Sequence, residues 1–169
     1  YVEWVLGDVP ARTAMHIVTE KDTRTGALFA RNRYSGDFGD HVAFLDVDVP
    51  MRTSTGDRRE FIGRNGTLAA PAAMRRARLS NRVGAALDPC GAQQVQLLLE
   101  PGEAREVSFV LGAGRDMADA RALAERFRAT GAANASFDDA REEWRRVLGT
   151  VQVETPDPAL DVMMNGWLP

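Results

Sequence analysis

Cysteine, histidine, net basic charge and long apolar runs are all scarce in this chain, and each scarcity closes off a class of function. A single cysteine, Cys90, cannot form an internal disulfide or supply a thiolate metal cluster. Its neighbourhood offers no helix N-terminus or adjacent base to activate it, so it reads as a buried small residue. Basic charge is also short: 21 Lys and Arg stand against 24 Asp and Glu, a net −3, which removes the overall basicity that nucleic-acid binding requires. The longest apolar stretch, Val95 to Leu99 broken by Gln96, falls far short of the roughly 20 residues that cross a bilayer. The two histidines, His16 and His41, have no serine or cysteine in a nucleophile motif beside them. His16 reads as a strand histidine and His41 as a loop histidine.

What is present is mainly β pattern. Val2–Leu6 alternates; Ala14–Glu20 and Ala27–Arg33 flank a turn-rich Lys21–Gly26 and predict a hairpin. Val42–Asp48 predicts another strand. Gln93–Glu100 and Arg105–Leu111 predict a second hairpin across Pro101–Ala104, with Val107, Phe109 and Leu111 on its buried face. Pro50–Pro89 has little periodicity and predicts a long irregular excursion, of a length usually functional or mobile. After Gly112-Ala113-Gly114 the period changes. Asp116 caps a predicted helix bearing Met117, Ala120, Leu123, Ala124 and Phe127 and ended by Gly131. Ser136 caps a second, with Phe137, Ala140, Trp144, Val147 and Leu148 inward and Gly149 at its end. After an extended Val151–Val153, Asp157 and Pro158 start a third, with Leu160, Met163, Met164, Trp167 and Leu168 on one face. The strand-like start without Met and the apolar stripe at the end predict a piece of a longer polypeptide.

Most motif-like strings have a plain structural reading. Asp37-Phe38-Gly39 matches a kinase metal-binding tripeptide, but the accompanying kinase motifs are missing and a turn is expected. Asp37, Asp40 and His41 are weak cation ligands on one loop. Asp46 and Asp48 share a strand face and resemble a glycosidase carboxylate pair; a solvated edge with Leu45 and Val47 inward is the preferred reading. Gly112–Arg115 lacks the Lys-Ser/Thr of a phosphate loop and reads as a strand-to-helix junction.

The charge pattern points elsewhere. Met51–Arg82 holds eight arginines, Arg52, Arg58, Arg59, Arg64, Arg75, Arg76, Arg78 and Arg82, against only Asp57 and Glu60, a local +6. Arginine's planar fork suits carboxylates, phosphates and sugar hydroxyls. These residues either pair with acids elsewhere or face a ligand. Within Asp57–Gly66 the expectation is local pairing of Asp57 and Glu60 with Arg58 or Arg59, an anchoring Phe61, and Gly63 and Gly66 letting the backbone approach a ligand. The candidate substrate-binding residues are Arg58, Arg64 and Asn65, with Asp57, Phe61, Gly63 and Gly66 as loop support.

The runs Arg31–Asp40 (RNRYSGDFGD), Thr55–Gly66 (TGDRREFIGRNG) and Thr155–Asp161 (TPDPALD), in that order, resemble glycoside hydrolase family 94, formerly glycosyltransferase family 36. Leu79–Gly84 and Leu87–Cys90 resemble its cyclic β-1,2-glucan synthase branch more than its disaccharide phosphorylases. The resemblance implies a mainly β fold: part of an antiparallel β-sandwich over 1–113, linker helices over 114–149, and from 150–169 the start of an (α/α)6 catalytic barrel. It implies inverting phosphorolysis or synthesis of a β-glucosidic bond by the whole enzyme, with inorganic phosphate or a sugar phosphate as co-substrate and no other cofactor or metal. The family's acid is an aspartate deep in the barrel, so no catalytic residue is expected here. Implied partners are the rest of the same polypeptide, a β-glucan or oligosaccharide, and in a homodimer a second copy, with no nucleic acid; the implied location is the cytoplasmic face, inner-membrane attached for a synthase. The alternative is a purely structural or carbohydrate-binding module that never touches the reacting sugar.

Overall fold

The computed structural model describes residues 1–166, and its first unit, Tyr1–Ala129, is an antiparallel sandwich with one helix packed on its outer side. The strands are β1 (Val2–Glu3), β2 (Ile17–Lys21), β3 (Leu28–Asn32), β4 (Val42–Val47), β5 (Arg52–Asp57), β6 (Pro89–Val95) and β7 (Phe109–Gly114). They form two sheets, one ordered β1-β6-β5 and the other β2-β3-β4-β7, and every pairing is antiparallel. The fold is therefore mainly β, as the period-two patterning and the resemblance both required.

Alternation along the second sheet sends side chains to two different cores. Ile17, Ala30, Ala43 and Leu45 face Trp4 and the partly buried Val2 and Leu6. Phe29, Val42 and Phe44 point the other way, onto Ala120 and Ala124 of the helix Met117–Arg128, with Val110, Met117 and Leu123 at the margin. All six residues of β4 are buried for this reason. Small residues let the helix close on the sheet: a Cβ at Gly112 would lie 2.7 Å from the Phe44 ring. A third cluster, Ala73, Leu79 and Ala92 with Phe61 against it, underlies the excursion between β5 and β6.

The run Leu79–Gly84 lies across both sheet edges. Leu79 N donates to Thr53 Oγ1, Asn81 N to Ser54 O and Gly56 N to Arg82 O, all on β5. Thr19 N on β2 donates to Gly84 O at 3.1 Å, and Gly84 N donates back to Thr19 Oγ1. Unpaired strand edges are thereby covered by chain that is not itself a strand.

Several expectations change. The 17–32 hairpin is present, but Ala14–His16, and so His16, is a short 3-10 helix before it. Gln93–Glu100 and Arg105–Leu111 do not pair: β6 joins β5 and β1, β7 joins β4, and 96–108 is irregular. The Pro101-Gly102 turn exists, with Glu103 N donating to Glu100 O, yet the chain changes sheet around it. Phe109 and Leu111 are consequently exposed, and Val110 and Gly112 face the helix. The strand at Val2 is two residues long, and Pro50–Pro89 contains β5 and a short helix, Arg58–Ile62. Ser, Thr and Gly in β5 gave it no apolar alternation to read.

The helices can be numbered α1 (Pro10–Thr13), α2 (Arg58–Ile62), α3 (Met117–Arg128), α4 (Ala132–Leu148) and α5 (Pro158–Gly166). Asp116 caps α3 by accepting from Asp119 N at 2.8 Å, and three ion pairs fasten the helix to the sheet: Arg121 to Asp22, Glu125 to Arg24 and Arg128 to Asp46. The second unit, from Thr130, holds α4 and α5. Gly131, at φ 78°, precedes α4 rather than closing α3. Ser136 lies inside α4 and its hydroxyl donates to Ala132 O, so it is no cap; Gly149 does end the helix. Phe137 and Trp144 are exposed. Val151–Val153 forms no strand. Asp157 Oδ1 accepts from Ala159 N at the start of α5; Trp167 and Leu168, the last of its expected stripe, lie outside the described residues.

Candidate functional site

The excursion after β5 is shaped by its acids. Asp57 ends β5 and caps α2, accepting from Arg59 N at 3.0 Å, while its other oxygen holds Arg82 at 3.0 Å. Glu60 accepts from Ser80 N at 2.8 Å and Ser80 Oγ at 2.6 Å and pairs with Arg76. Burial acts to raise the Glu60 pKa, but the Ser80 and Thr55 hydrogen bonds and the Arg76 charge outweigh it and hold the carboxyl below its ordinary value. Arg58 reaches Glu3 at 3.0 Å and Asp88 at 3.5 Å. Glu3 is held low by the Tyr1 hydroxyl and by Arg58. The expected local pairing of Asp57 and Glu60 with Arg58 or Arg59 is thus replaced by longer-range partners, because the α2 cap turns both carboxylates toward 76–82.

Phe61 stacks on Tyr1 with centroids 4.3 Å apart and packs over Ala73, Leu79 and Ala92. Gly63 closes α2 at φ 91°, where a side chain would be strained, and a Cβ at Gly66 would strike the Ile62 carbonyl. Together they turn the chain so that Arg64 and Asn65 stand exposed, with no side-chain hydrogen bond or ion pair among the described residues. Arg59 is likewise exposed and unpaired among them. Arg58, Arg64 and Asn65 therefore do not converge: the first is tied down, the other two project from the turn.

An open depression of about 740 Å³ lies beside α2, lined by Asp57, Arg59, Glu60, Arg76, Ser80, Arg82 and the 86–88 turn. Its charges balance, three arginines against Asp57, Glu60 and Asp88, so it offers alternating donors and acceptors rather than a net field. Asp57 was expected as support, but Arg76, Ser80 and Arg82 were not singled out. The signal for Arg76 and Arg82 lay in the arginine count, Ser80 had none, and the acids that draw all three together are too distant in sequence to assign.

The other candidates resolve structurally. Asp46 is fully buried, paired with Arg52 at 3.0 Å and with Arg128, which overturns the solvated-edge reading. Alternation does place it opposite Leu45, but that face is covered by α3. Asp48 Oδ2 instead accepts from Ser108 N. Asp37-Phe38-Gly39 lies in a turn, and among the described residues Asp37, Asp40 and His41 form no group able to hold a metal ion. Cys90 is buried and desolvation pushes its thiol up to about 12.

With this geometry in hand, similarity to known proteins decides the family. The family model of the glycosyl hydrolase 94 supersandwich domain matches residues 1–130. The chain belongs to glycoside hydrolase family 94. It is 38% identical over 170 residues to the cyclic beta-(1,2)-glucan synthase NdvB of Rhizobium meliloti, covering 100% of this chain and 6% of that protein. It is 31% identical over 128 residues to a 3-O-beta-D-glucopyranosyl-beta-D-glucuronide phosphorylase of Paenibacillus borealis, 76% of this chain and 16% of that protein. An N,N'-diacetylchitobiose phosphorylase of Vibrio furnissii is 30% identical over 124 residues, 73% of this chain and 15% of that one. The chain spans less than a fifth of each of these family 94 relatives, which are larger enzymes of carbohydrate metabolism. Among its own described residues no helix is long and apolar enough to cross a membrane.

Proposed function

We propose that this chain is the non-catalytic sandwich portion of a family 94 enzyme of the cyclic β-1,2-glucan synthase type, where it buttresses the catalytic barrel and lends Arg64 and Asn65 to the sugar-binding cleft. On this reading residues 1–113 are sandwich, 114–149 linker helices and 150–169 the beginning of the (α/α)6 barrel, which carries the acid. The co-substrate of the whole enzyme is inorganic phosphate or a sugar phosphate. The synthase branch is favoured over the phosphorylases by the 38% identity along the full chain, against 31% over 76% of it. It carries with it the cytoplasmic face of an inner membrane as the location, and the homodimer as the assembly to test.

The observation that carries this reading is a pair of unpaired, exposed polar side chains on a turn fixed from beneath by the Asp57 cap and the Tyr1–Phe61 stack. Such a turn presents donors without first having to be ordered. The test is Arg64→Ala in the full-length enzyme, with folding followed by thermal melting. Loss of a charged hydrogen bond to substrate costs about 1.5 to 3 kcal/mol, a ten- to hundredfold fall in kcat/KM. Unchanged kcat/KM leaves the second reading, a structural or carbohydrate-binding module without contact to the reacting sugar. That reading draws on the ion pairs that already occupy Arg52, Arg58, Arg76 and Arg82.

A further inference from the structure

The loop between β3 and β4 lies apart from the excursion and has a different chemistry. Its Tyr34 ring is stacked on His16, centroids 4.3 Å apart and 30° between planes, yet the residue is 80% exposed. One face of the phenol ring is backed by imidazole and the other is open to water. Phe38, 63% exposed, is held edge-on against His41 at 5.3 Å. Two exposed aromatic rings on one short loop, each braced by a histidine, form a preformed apolar surface with polar edges.

The loop is built. Asn32, buried at its root, donates from Nδ2 to Leu6 O and accepts from Tyr34 N, both at 3.0 Å. Ser35 Oγ accepts from Phe38 N, and His41 N donates to Phe38 O. Any side chain at Gly39 would place its Cβ 2.8 Å from Ser35 O. Around the rings, Arg33, Asp37 and Asp40 are exposed and make no side-chain hydrogen bond or ion pair among the described residues. Arg33 and Asp40 also line a depression of about 380 Å³ with Arg31, Val42, Arg115 and Met117.

We propose that this loop is a pyranose-stacking site for a neutral β-glucan chain, with the open face of Tyr34 as its platform. The C–H face of a glucose ring is apolar and matches an aromatic face, while its equatorial hydroxyls both donate and accept. Arg33 donates and Asp37 and Asp40 accept, so the polar partners fit hydroxyls. Arg31, Arg33 and Arg115 are offset by Asp37, Asp40 and Asp116, so this surface carries no net positive field that would favour an anionic polymer over a neutral glycan. A rigid loop meets a flexible glucan without an ordering cost on the protein side. The site would hold a growing or transferred chain away from the cleft. The choice of β-1,2-glucan as probe rests on the reading above; the stacking geometry does not.

The experiment is affinity electrophoresis of the full-length protein through gels containing linear β-1,2-gluco-oligosaccharide, with Tyr34→Ala, Tyr34→Phe and Arg64→Ala alongside wild type. Wild type is expected to be retarded, Tyr34→Ala to weaken its apparent Kd about tenfold with an unchanged melting temperature, and Tyr34→Phe to stay within about twofold of wild type. Wild type that migrates freely overturns the proposal, as does Tyr34→Ala retarded like wild type. Arg64→Ala that keeps both its retardation and its turnover sinks the cleft reading alone and leaves the Tyr34 site standing. A structure of the whole protein with the outer face of Tyr34 covered by polypeptide also overturns it.

Discussion

Asparagine at position 46 keeps the shape of the aspartate and removes only its charge, which makes Asp46→Asn a direct probe of the buried cluster beneath α3. In the native fold one carboxylate serves two guanidiniums, Arg52 through Oδ1 and Arg128 through Oδ2. The side chain of Arg52 is only 5% exposed, and its Nε has no acceptor among the described residues, so it has nowhere else to place its charge. Its remaining hydrogen bonds, from Nη1 to Val49 O and from Nη2 to Thr25 O, are to neutral carbonyls. Arg128, 26% exposed, can swing into water. Removing one member of a buried pair costs about 3 to 5 kcal/mol because a charge is left uncompensated. With Arg128 able to relax, the lower end applies, about 3 kcal/mol out of a typical total of about 5 to 15. At about 3 to 4 °C per kcal/mol for a unit of this size, the melting temperature falls by about 10 °C. Arg128→Met leaves Arg52 paired and is expected to cost about 1 to 2 kcal/mol. The decisive comparison is the double replacement Asp46→Leu with Arg52→Met, which removes the buried charges together and is expected to recover most of the loss. Scanning calorimetry reads all three. An Asp46→Asn protein melting within about 3 °C of wild type refutes the reasoning, as does a double variant less stable than Asp46→Asn.

Other outcomes follow from single contacts. At Asp22, burial acts to raise the pKa, but Arg121 and the Thr25 N–H and O–H prevail and bring it to about 2. A carboxyl depressed in the fold stabilises above its unfolded pKa of about 3.9 and loses that contribution as pH falls toward 2, so urea midpoints should drop across this window less steeply for Asp22→Asn than for wild type. Gly112→Ala drives a methyl to 2.7 Å from the buried Phe44 ring and is expected to cost about 1 to 3 kcal/mol by denaturant unfolding. Cys90, buried with its thiol pushed up to about 12, should resist Ellman's reagent at pH 8 until the protein unfolds; rapid native labelling would contradict its placement.

Legibility in the sequence tracked periodicity. Val42–Val47 and the β2–β3 hairpin stood out because their apolar residues repeat with the strand period, and α3 because Ala120 and Ala124 with Met117 and Leu123 mark one stripe behind a capping Asp116. Phe109 and Leu111 show where the same signal misleads. Their period is correct, but which face is buried depends on α3 lying over Val110, Gly112 and Gly114, a tertiary fact. β5 was invisible because Thr53, Ser54 and Gly56 are satisfied by hydrogen bonds to a distant run rather than by apolar burial. For the candidate site the sequence pointed to a stretch, Asp57 to Arg82, and to a residue type, arginine. It did not supply the pairing: Arg82 with Asp57, Arg76 with Glu60 and Arg58 with Glu3 are set by the α2 cap and by chain 16 to 55 positions away.

The run Leu79–Gly84 also bears on the order in which the unit assembles. None of its hydrogen bonds to β5 or β2 exists until those strands have taken their places, and its tie to Thr19 spans 65 positions. The run can dock only once both strands are in place, so it belongs among the last parts to dock and the first to release. Its release frees two strand edges at once, those of β5 and β2, each with backbone groups ready to pair with another chain. Six residues without regular structure thus stand between this sandwich and edge-to-edge association during its own folding.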